Sequence, residues 1–200
     1  MTEQRRAADG PVLVWRLPSP QLAVSSAPLG GGLGLRSWVL NATVGVDYDR
    51  PDPDAHLGEV AGALELDGPG IGMLTAVDVR DEVTSVDSGV RASVTTGITD
   101  PIWAAASDAG GYPRVGTINA VCFSPLRLGE AALVNAVATV AEAKAQALVE
   151  AGVEGTGTCT DATAVLCPPG GPEERYAGPR SPIGAALARA VHASVRAAIA

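Results

Sequence analysis

The stretch from Gly129 to Ala151 has no internal Gly or Pro, in a chain where those two residue types make 39 of 200 positions. It is rich in Ala, Leu, Glu, Lys and Gln and is followed by Gly152, which predicts one long helix with a glycine stop. The rest of the chain is cut into short pieces. Only seven residues are aromatic, so the core must be built from Val, Leu, Ile and Ala, and elements with such small side chains must approach closely.

Alternating or β-branched runs at Val12 to Arg16, Gln21 to Ser25, Ser37 to Val46, Ile71 to Val77, Glu82 to Val86 and Arg91 to Ile98 predict strands. The segment from Asp47 to Gly58 holds two prolines and four aspartates, which predicts a solvated loop that opens a short helix before Gly68. A second loop is expected from Ser107 to Arg114. A last helix begins with Ser181 as N-cap and Pro182 in its first turn, and carries the stripe Ile183, Leu187, Val191, Val195, Ile199. Between the helices, Thr156 to Leu166 reads as a strand and Pro168 to Arg180 as a long Pro/Gly loop. Strands followed by long helices give an α/β or α+β domain, a mixed β-sheet with packed helices over residues 11–200, behind an unstructured tail over residues 1–10.

The net charge of −8 would on average repel a phosphate backbone or an anionic lipid surface. Nucleic acid and membrane are therefore not expected partners, and a neutral or cationic small molecule is. A homo-oligomer stays open. Cys122, Cys159 and Cys167 are odd in number and form no C-x-x-C pair, so neither a disulfide framework nor a metal site is expected. The polar N-terminal segment runs into an apolar piece, Val12 to Trp15, too short for a signal sequence or a membrane span, and a cytoplasmic setting is the expectation.

His192 lies three and four residues from Arg189 and Arg196, which reads as a solvated surface histidine, and His56 sits in the acidic segment. Neither stands near a Ser, Cys or carboxylate in a recognisable triad. The segment Thr156-Gly157-Thr158-Cys159-Thr160-Asp161 is the most unusual: extended, it would align Thr156, Thr158 and Thr160 on one face and end on a carboxylate. Its plain reading is a strand with a polar face; its functional reading makes Asp161 a proton acceptor beside substrate-binding hydroxyls. Cys159 has no basic neighbour in sequence and reads as core. On the long helix, Leu133, Val137, Val140 and Leu148 form the apolar stripe, and Asn135, Thr139, Glu142, Gln146 and Glu150 the polar one. Lys144 falls on the apolar stripe, where it either snorkels to the rim or meets a carboxylate, Asp161 being the natural partner. Gly30, Gly31 and Gly32 form a tight turn or present N–H groups to an oxyanion, and Asn41 and Asn119 read equally as turn residues or as ligand contacts.

Taken in order, Gly30 to Gly32, Asn41 with Val44, Leu74 to Ala76 (LTA), Thr95 to Thr99 (TTGIT), Gly116 to Asn119 (GTIN), Glu142 to Lys144 (EAK), Thr156 to Asp161 (TGTCTD) and Tyr176 to Gly178 (YAG) followed by Gly184 resemble the adenosylcobinamide amidohydrolase (CbiZ) family. The similarity runs from about Ser25 to the C-terminus. Cys159 occupies the variable position of TGTxTD, and Ala162 stands where many relatives carry serine. The resemblance implies hydrolysis of the amide that joins the aminopropanol arm to the corrin ring, releasing adenosylcobyric acid and 1-amino-2-propanol in corrinoid salvage. No cofactor is then required, because the cobalt arrives with the substrate. The residues expected to act are Asp161 or Glu142 as base, for water or for a Thr158 or Thr160 hydroxyl, with Lys144 supplying positive charge. Gly31, Gly32, Asn41, Thr75, Thr96, Thr117, Asn119 and Tyr176 are the expected substrate contacts. Two other readings use the same cleft: a corrinoid-binding or carrier protein without catalysis, and an amidase for an unrelated acylated amine.

Overall fold

The computed structural model describes residues 2–7, 10–107 and 116–200. Its strands are β1 (Thr2–Arg6), β2 (Pro11–Ser25), β3 (Gly32–Thr43), β4 (Gly70–Thr75), β5 (Val83–Asp87), β6 (Val90–Gly97), β7 (Thr117–Phe123), β8 (Arg127–Leu128), β9 (Ala162–Cys167) and β10 (Glu173–Glu174). Its helices are α1 (Pro53–Ala63), α2 (Glu130–Glu150) and α3 (Pro182–Ala198). The large sheet runs β4-β3-β2-β9-β7-β6-β5, with β1 added beside β2 and with β8 and β10 forming a separate pair. The β3–β4 and β7–β9 pairs are parallel and the other neighbours in the large sheet antiparallel. This is the mixed α/β sheet that the strand and helix patterns imply.

The long strand β2 is the hinge of the architecture. Its first half pairs with β3 as far as Arg16 opposite Trp38, and pairing resumes only at Gln21 opposite Arg36. Pro18 and Pro20 lie in the gap, where a missing N–H breaks the ladder and bends the strand, while Leu13, Trp15 and Ala23 keep the same inner face on both sides of it. The sheet therefore folds over on itself. Leu13, Trp15, Val39, Ile71 and Met73 from one half pack against Ala23, Val121, Ala162, Ala164 and Leu166 from the other. Strands β4 and β7 touch although three strands separate them along the sheet.

Each half is then covered on its outer face. Leu57, Val60 and Ala61 of α1 pack on Val12, Val14, Trp38 and Leu40. Helices α2 and α3 pack on Val90, Ala92, Val94, Ile118, Ala120, Cys122, Val165 and Cys167. The result is four layers: helix, sheet half, sheet half, helix pair. Small core residues permit this spacing.

Several expectations change. Residues 2–6, expected as tail, pair antiparallel with Pro11–Trp15. The acidic segment enters α1 earlier, at Pro53, so His56 is helical and buried rather than in a loop. Thr139, placed on the polar stripe of the long helix, is fully buried and donates to the Ala177 carbonyl at 2.7 Å. The loop expected at Ser107 to Arg114 lies, beyond Ser107, outside the described residues.

Candidate functional site

The strand expected over Thr156 to Leu166 begins only at Ala162; the preceding residues form a turn. A carboxylate causes this. Asp161 accepts from the Thr158 N–H at 3.1 Å and from the Ile118 N–H at 2.8 Å, and its remaining capacity goes to the Thr158 hydroxyl at 2.5 Å and the Lys144 ammonium. Such a carboxylate closes a tight turn on itself, which an extended strand would prevent. Gly157 is needed because a Cβ there would overlap Asp161 Oδ2 and Lys144 Nζ. Thr156, Thr158 and Thr160 thus do not share a face.

Lys144 and Asp161 form an ion pair with side chains 17% and 13% exposed, so the lysine on the apolar stripe does meet the carboxylate. They line a small cavity of about 190 Å³ on the α2 and α3 side of the sheet, with Ile118, Ala120, Val140 and Val191. A second cleft, about 260 Å³, lies on the other side, where the two sheet halves meet. Leu74, Thr75 and Ala76 and the segments around Val44 to Arg50 give one wall; Gly116, Thr117, Asn119, Thr160 and Ala162 give the other.

Three hydroxyls converge on the Gly116 carbonyl: Thr158 at 2.8 Å, Thr160 at 2.9 Å and Thr117 at 2.8 Å, with Thr117 and Thr160 2.7 Å apart. The charged acceptor Asp161 is the stronger claim on the Thr158 proton. The Thr117 and Thr160 protons are then consumed by the Gly116 carbonyl and by their mutual bond. The pair consequently offers lone pairs to the cleft.

Behind it lies a buried amide network that joins the sheet halves. Asn119 donates from Nδ2 to Asn41 Oδ1 and to the Leu74 carbonyl, both at 2.9 Å, and Asn41 donates to Thr95 Oγ1 at 3.0 Å. Both asparagines lie inside strands and are buried, so neither is a turn residue. The two Nδ2 bonds fix the amide orientation, and Asn119 Oδ1 has no protein partner.

Of the other expected site residues, Thr75 lines the cleft and accepts the Val77 N–H. Thr96 points to the opposite face of β6 from Thr95, its neighbour, which carries the contact to Asn41. Glu142 is exposed on α2. Tyr176 is 72% exposed, and the adjacent Ala177 and Gly178 pack against α2 and the start of α3. Gly31 and Gly32 do not line the cleft; Gly30, in the turn before β3, and Gly32, its first residue, take positive φ, and Arg36 donates to the Gly30 carbonyl. Cys159, expected as core, is half-buried in the Thr158–Asp161 turn. His192 bonds Glu150 at 2.7 Å, tying α3 to α2 at the surface.

Taken alone, Tyr48 and Arg50 carry no signal in the sequence that singles them out, and His56 reads there only as part of the acidic segment. Tyr48 and Arg50 line the cleft, and His56 Nδ1 lies 3.0 Å from the Tyr48 hydroxyl. Arg50 is held by Asp52 and Glu59, whose carboxyls it keeps below the usual carboxylate range. The one available signal was the Tyr48–His56 spacing across Pro51 and Pro53, which brings Tyr48 of the preceding loop beside His56 in the first turn of α1. Among the described residues, no three His, Cys, Asp or Glu side chains converge as metal ligands.

The segments that build this site are also those the resemblance rests on. Residues 1–200 match the adenosylcobinamide amidohydrolase family throughout. The chain belongs to that family. It is 30% identical over 184 residues to the adenosylcobinamide amidohydrolase of Methanosarcina mazei, an alignment covering 87% of this chain and 88% of that one. It is 42% identical over 100 residues to the adenosylcobinamide amidohydrolase of Halobacterium salinarum, covering 50% of this chain and 42% of the relative. Family membership makes the chain a hydrolase, and the GTIN and TGTxTD segments meet at one cleft while EAK supplies the lysine behind it.

Proposed function

We propose that this protein hydrolyses the amide between the aminopropanol arm and the corrin ring of adenosylcobinamide, releasing adenosylcobyric acid and 1-amino-2-propanol in corrinoid salvage. The observation that carries the reading is the convergence of the GTIN and TGTxTD segments on a cleft floored by the Thr117–Thr160 hydroxyl pair. A volume of about 260 Å³ suits an amide-bearing arm and leaves a corrin macrocycle at the mouth. The acceptor-rich floor of Thr117, Thr160 and Asn119 favours N–H and O–H groups of the arm, and Tyr48 and Arg50 line the opposite wall. An acidic chain suits a substrate that is cationic at cobalt.

In this reading Asp161 and Lys144 are positioning residues. They hold the Thr158 turn and therefore the Thr160 hydroxyl, and they do so from the far side of the sheet. The reading as a corrinoid carrier draws on the absence of carboxylates from the described lining of the cleft.

Incubation of the purified protein with adenosylcobinamide, followed by mass spectrometry with and without chelator, tests the proposal. Adenosylcobyric acid and 1-amino-2-propanol are the expected products. Tight corrinoid binding without either product would replace hydrolysis by carriage.

A further inference from the structure

Asn119 Oδ1 is a buried acceptor with no partner among the described residues. The two Nδ2 protons are spent on Asn41 Oδ1 and the Leu74 carbonyl, so the amide cannot turn over without breaking both bonds. An orphaned acceptor on a residue only 1% exposed costs free energy until something brings it a proton. Asn119 lines the cleft of about 260 Å³, and so does Thr75, itself 2% exposed. Thr75 Oγ1 accepts the Val77 N–H at 3.3 Å, and among the described residues its own proton has no acceptor. The buried part of the cleft therefore lacks one donor and one acceptor.

A hydroxyl supplies both, whereas an amide N–H supplies only the donor. Resting on the hydrolase reading above, we propose that Asn119 and Thr75 read the secondary hydroxyl of the aminopropanol arm and make the enzyme selective for amides of 2-hydroxyalkylamines. The hydroxyl donates to Asn119 Oδ1 and accepts from Thr75 Oγ1.

Depth sets the order of contacts. Seen from the corrin ring, the arm carries its hydroxyl beyond its amide. Asn119 and Thr75 are buried, while Thr117 is half-buried and Thr160 exposed. With the arm inserted end first, the hydroxyl meets the buried residues and the amide N–H stops at the lone pairs of the Thr117–Thr160 pair. Thr117 and Asn119 stand two residues apart on β7, so their side chains share a face at a separation of about 7 Å. Two hydrogen bonds of about 3 Å each, together with the two-carbon link between nitrogen and hydroxyl, cover that span.

Selectivity follows from the unpaired groups. The other amides of the corrin periphery are primary and bring no hydroxyl, so an arm of that kind in the cleft leaves Asn119 Oδ1 and the Thr75 proton unsatisfied. A site built to bond a substrate hydroxyl rejects the analogue without it far more strongly than an apolar pocket rejects a missing methylene.

The test compares adenosylcobinamide with the propylamide of adenosylcobyric acid, which differs only in lacking the arm's hydroxyl. Wild type is expected to show kcat/KM at least about 10²-fold higher for adenosylcobinamide, and a smaller ratio overturns the assignment. Asn119→Leu and Thr75→Val are each expected to cut that ratio at least about tenfold, while the surface control His192→Asn keeps it. Each ratio compares two substrates on one preparation, so the folded fraction of a variant cancels. Should Asn119→Leu fail to fold, Thr75→Val, which keeps the side-chain shape, carries the comparison. A ratio undiminished in either folded variant overturns the pairing. If wild type hydrolyses neither amide, their dissociation constants separate the two readings. Adenosylcobinamide bound at least about tenfold tighter than the propylamide sinks the hydrolase reading and leaves the hydroxyl site in place; a smaller preference overturns both.

Discussion

The Lys144 ammonium and the Asp161 carboxylate meet directly over the backbone of Gly157, on the face of the sheet turned away from the main cleft. Their influence on that cleft passes through backbone. Asp161 fixes the Ile118 and Thr158 N–H groups, and these flank Thr117 and Thr160. Replacing Asp161 by Asn sets an amide N–H against Lys144 and loosens the turn. We expect a loss of about 2 kcal/mol in stability, between the values for exposed and buried pairs, with a folded protein remaining. Displacement of Thr160 should lower kcat by about 10²-fold. Urea unfolding and product formation on one preparation measure both; full activity in the variant refutes a positioning role.

Asn119 is the bolt between the two sheet halves, because its Nδ2 reaches both Asn41 on β3 and the Leu74 carbonyl on β4. Asn119→Ala leaves two buried acceptors without a donor, at a cost of about 3 kcal/mol. A double-mutant cycle with Asn41→Ala should show a coupling of about 1–2 kcal/mol. Strict additivity in urea unfolding would mean that the two amides do not hold the halves together.

Gly184 stands in the first turn of α3, where a Cβ would overlap the Gly178 and Ala177 carbonyl oxygens. Helix propensity alone says that Ala should stabilise this position by roughly 1 kcal/mol. The contact says the opposite. Gly184→Ala is expected to cost about 2 kcal/mol and lower Tm by about 6 °C in calorimetry. A raised Tm would show that the YAG loop yields.

Asp87 on β5 is bound by Arg189 of α3 through two bonds of 2.7 Å, which hold its carboxyl down at about 2 against an ordinary value of 3.8. A depressed folded-state value gives stability that is complete above the ordinary value and is lost as pH falls toward 2. The stability difference between wild type and Arg189→Ala should therefore be present at neutral pH in low salt and close by about pH 2. A difference independent of pH would remove the ion pair from the account.

The two long helices were legible because periodicity, caps and the absence of Gly and Pro all agree there, and Ser181 caps α3 through the Gly184 N–H as its sequence implies. The strands were legible as segments. Their folding-over was not, since it depends on the break between Arg16 and Gln21, and a run with Pro18 and Pro20 reads as two strands rather than as one bent strand. In the site, the Lys144–Asp161 partnership could be read from a lysine on an apolar stripe. The turn at Thr158 could not, because β-propensity of three threonines points to a strand and one carboxylate overrides it. Tyr48 escaped notice and His56 was read as lying in a solvated segment, because an acidic, proline-flanked stretch looks solvated until α1 buries the ring against the sheet.

Hydrolysis in ¹⁸O-labelled water tests the central claim most directly. Wild-type protein given adenosylcobinamide should place one ¹⁸O in the new carboxyl group of adenosylcobyric acid and none in 1-amino-2-propanol, as acyl C–N cleavage by water requires. Label in the aminopropanol, or corrinoid recovered whole and unlabelled, would contradict it.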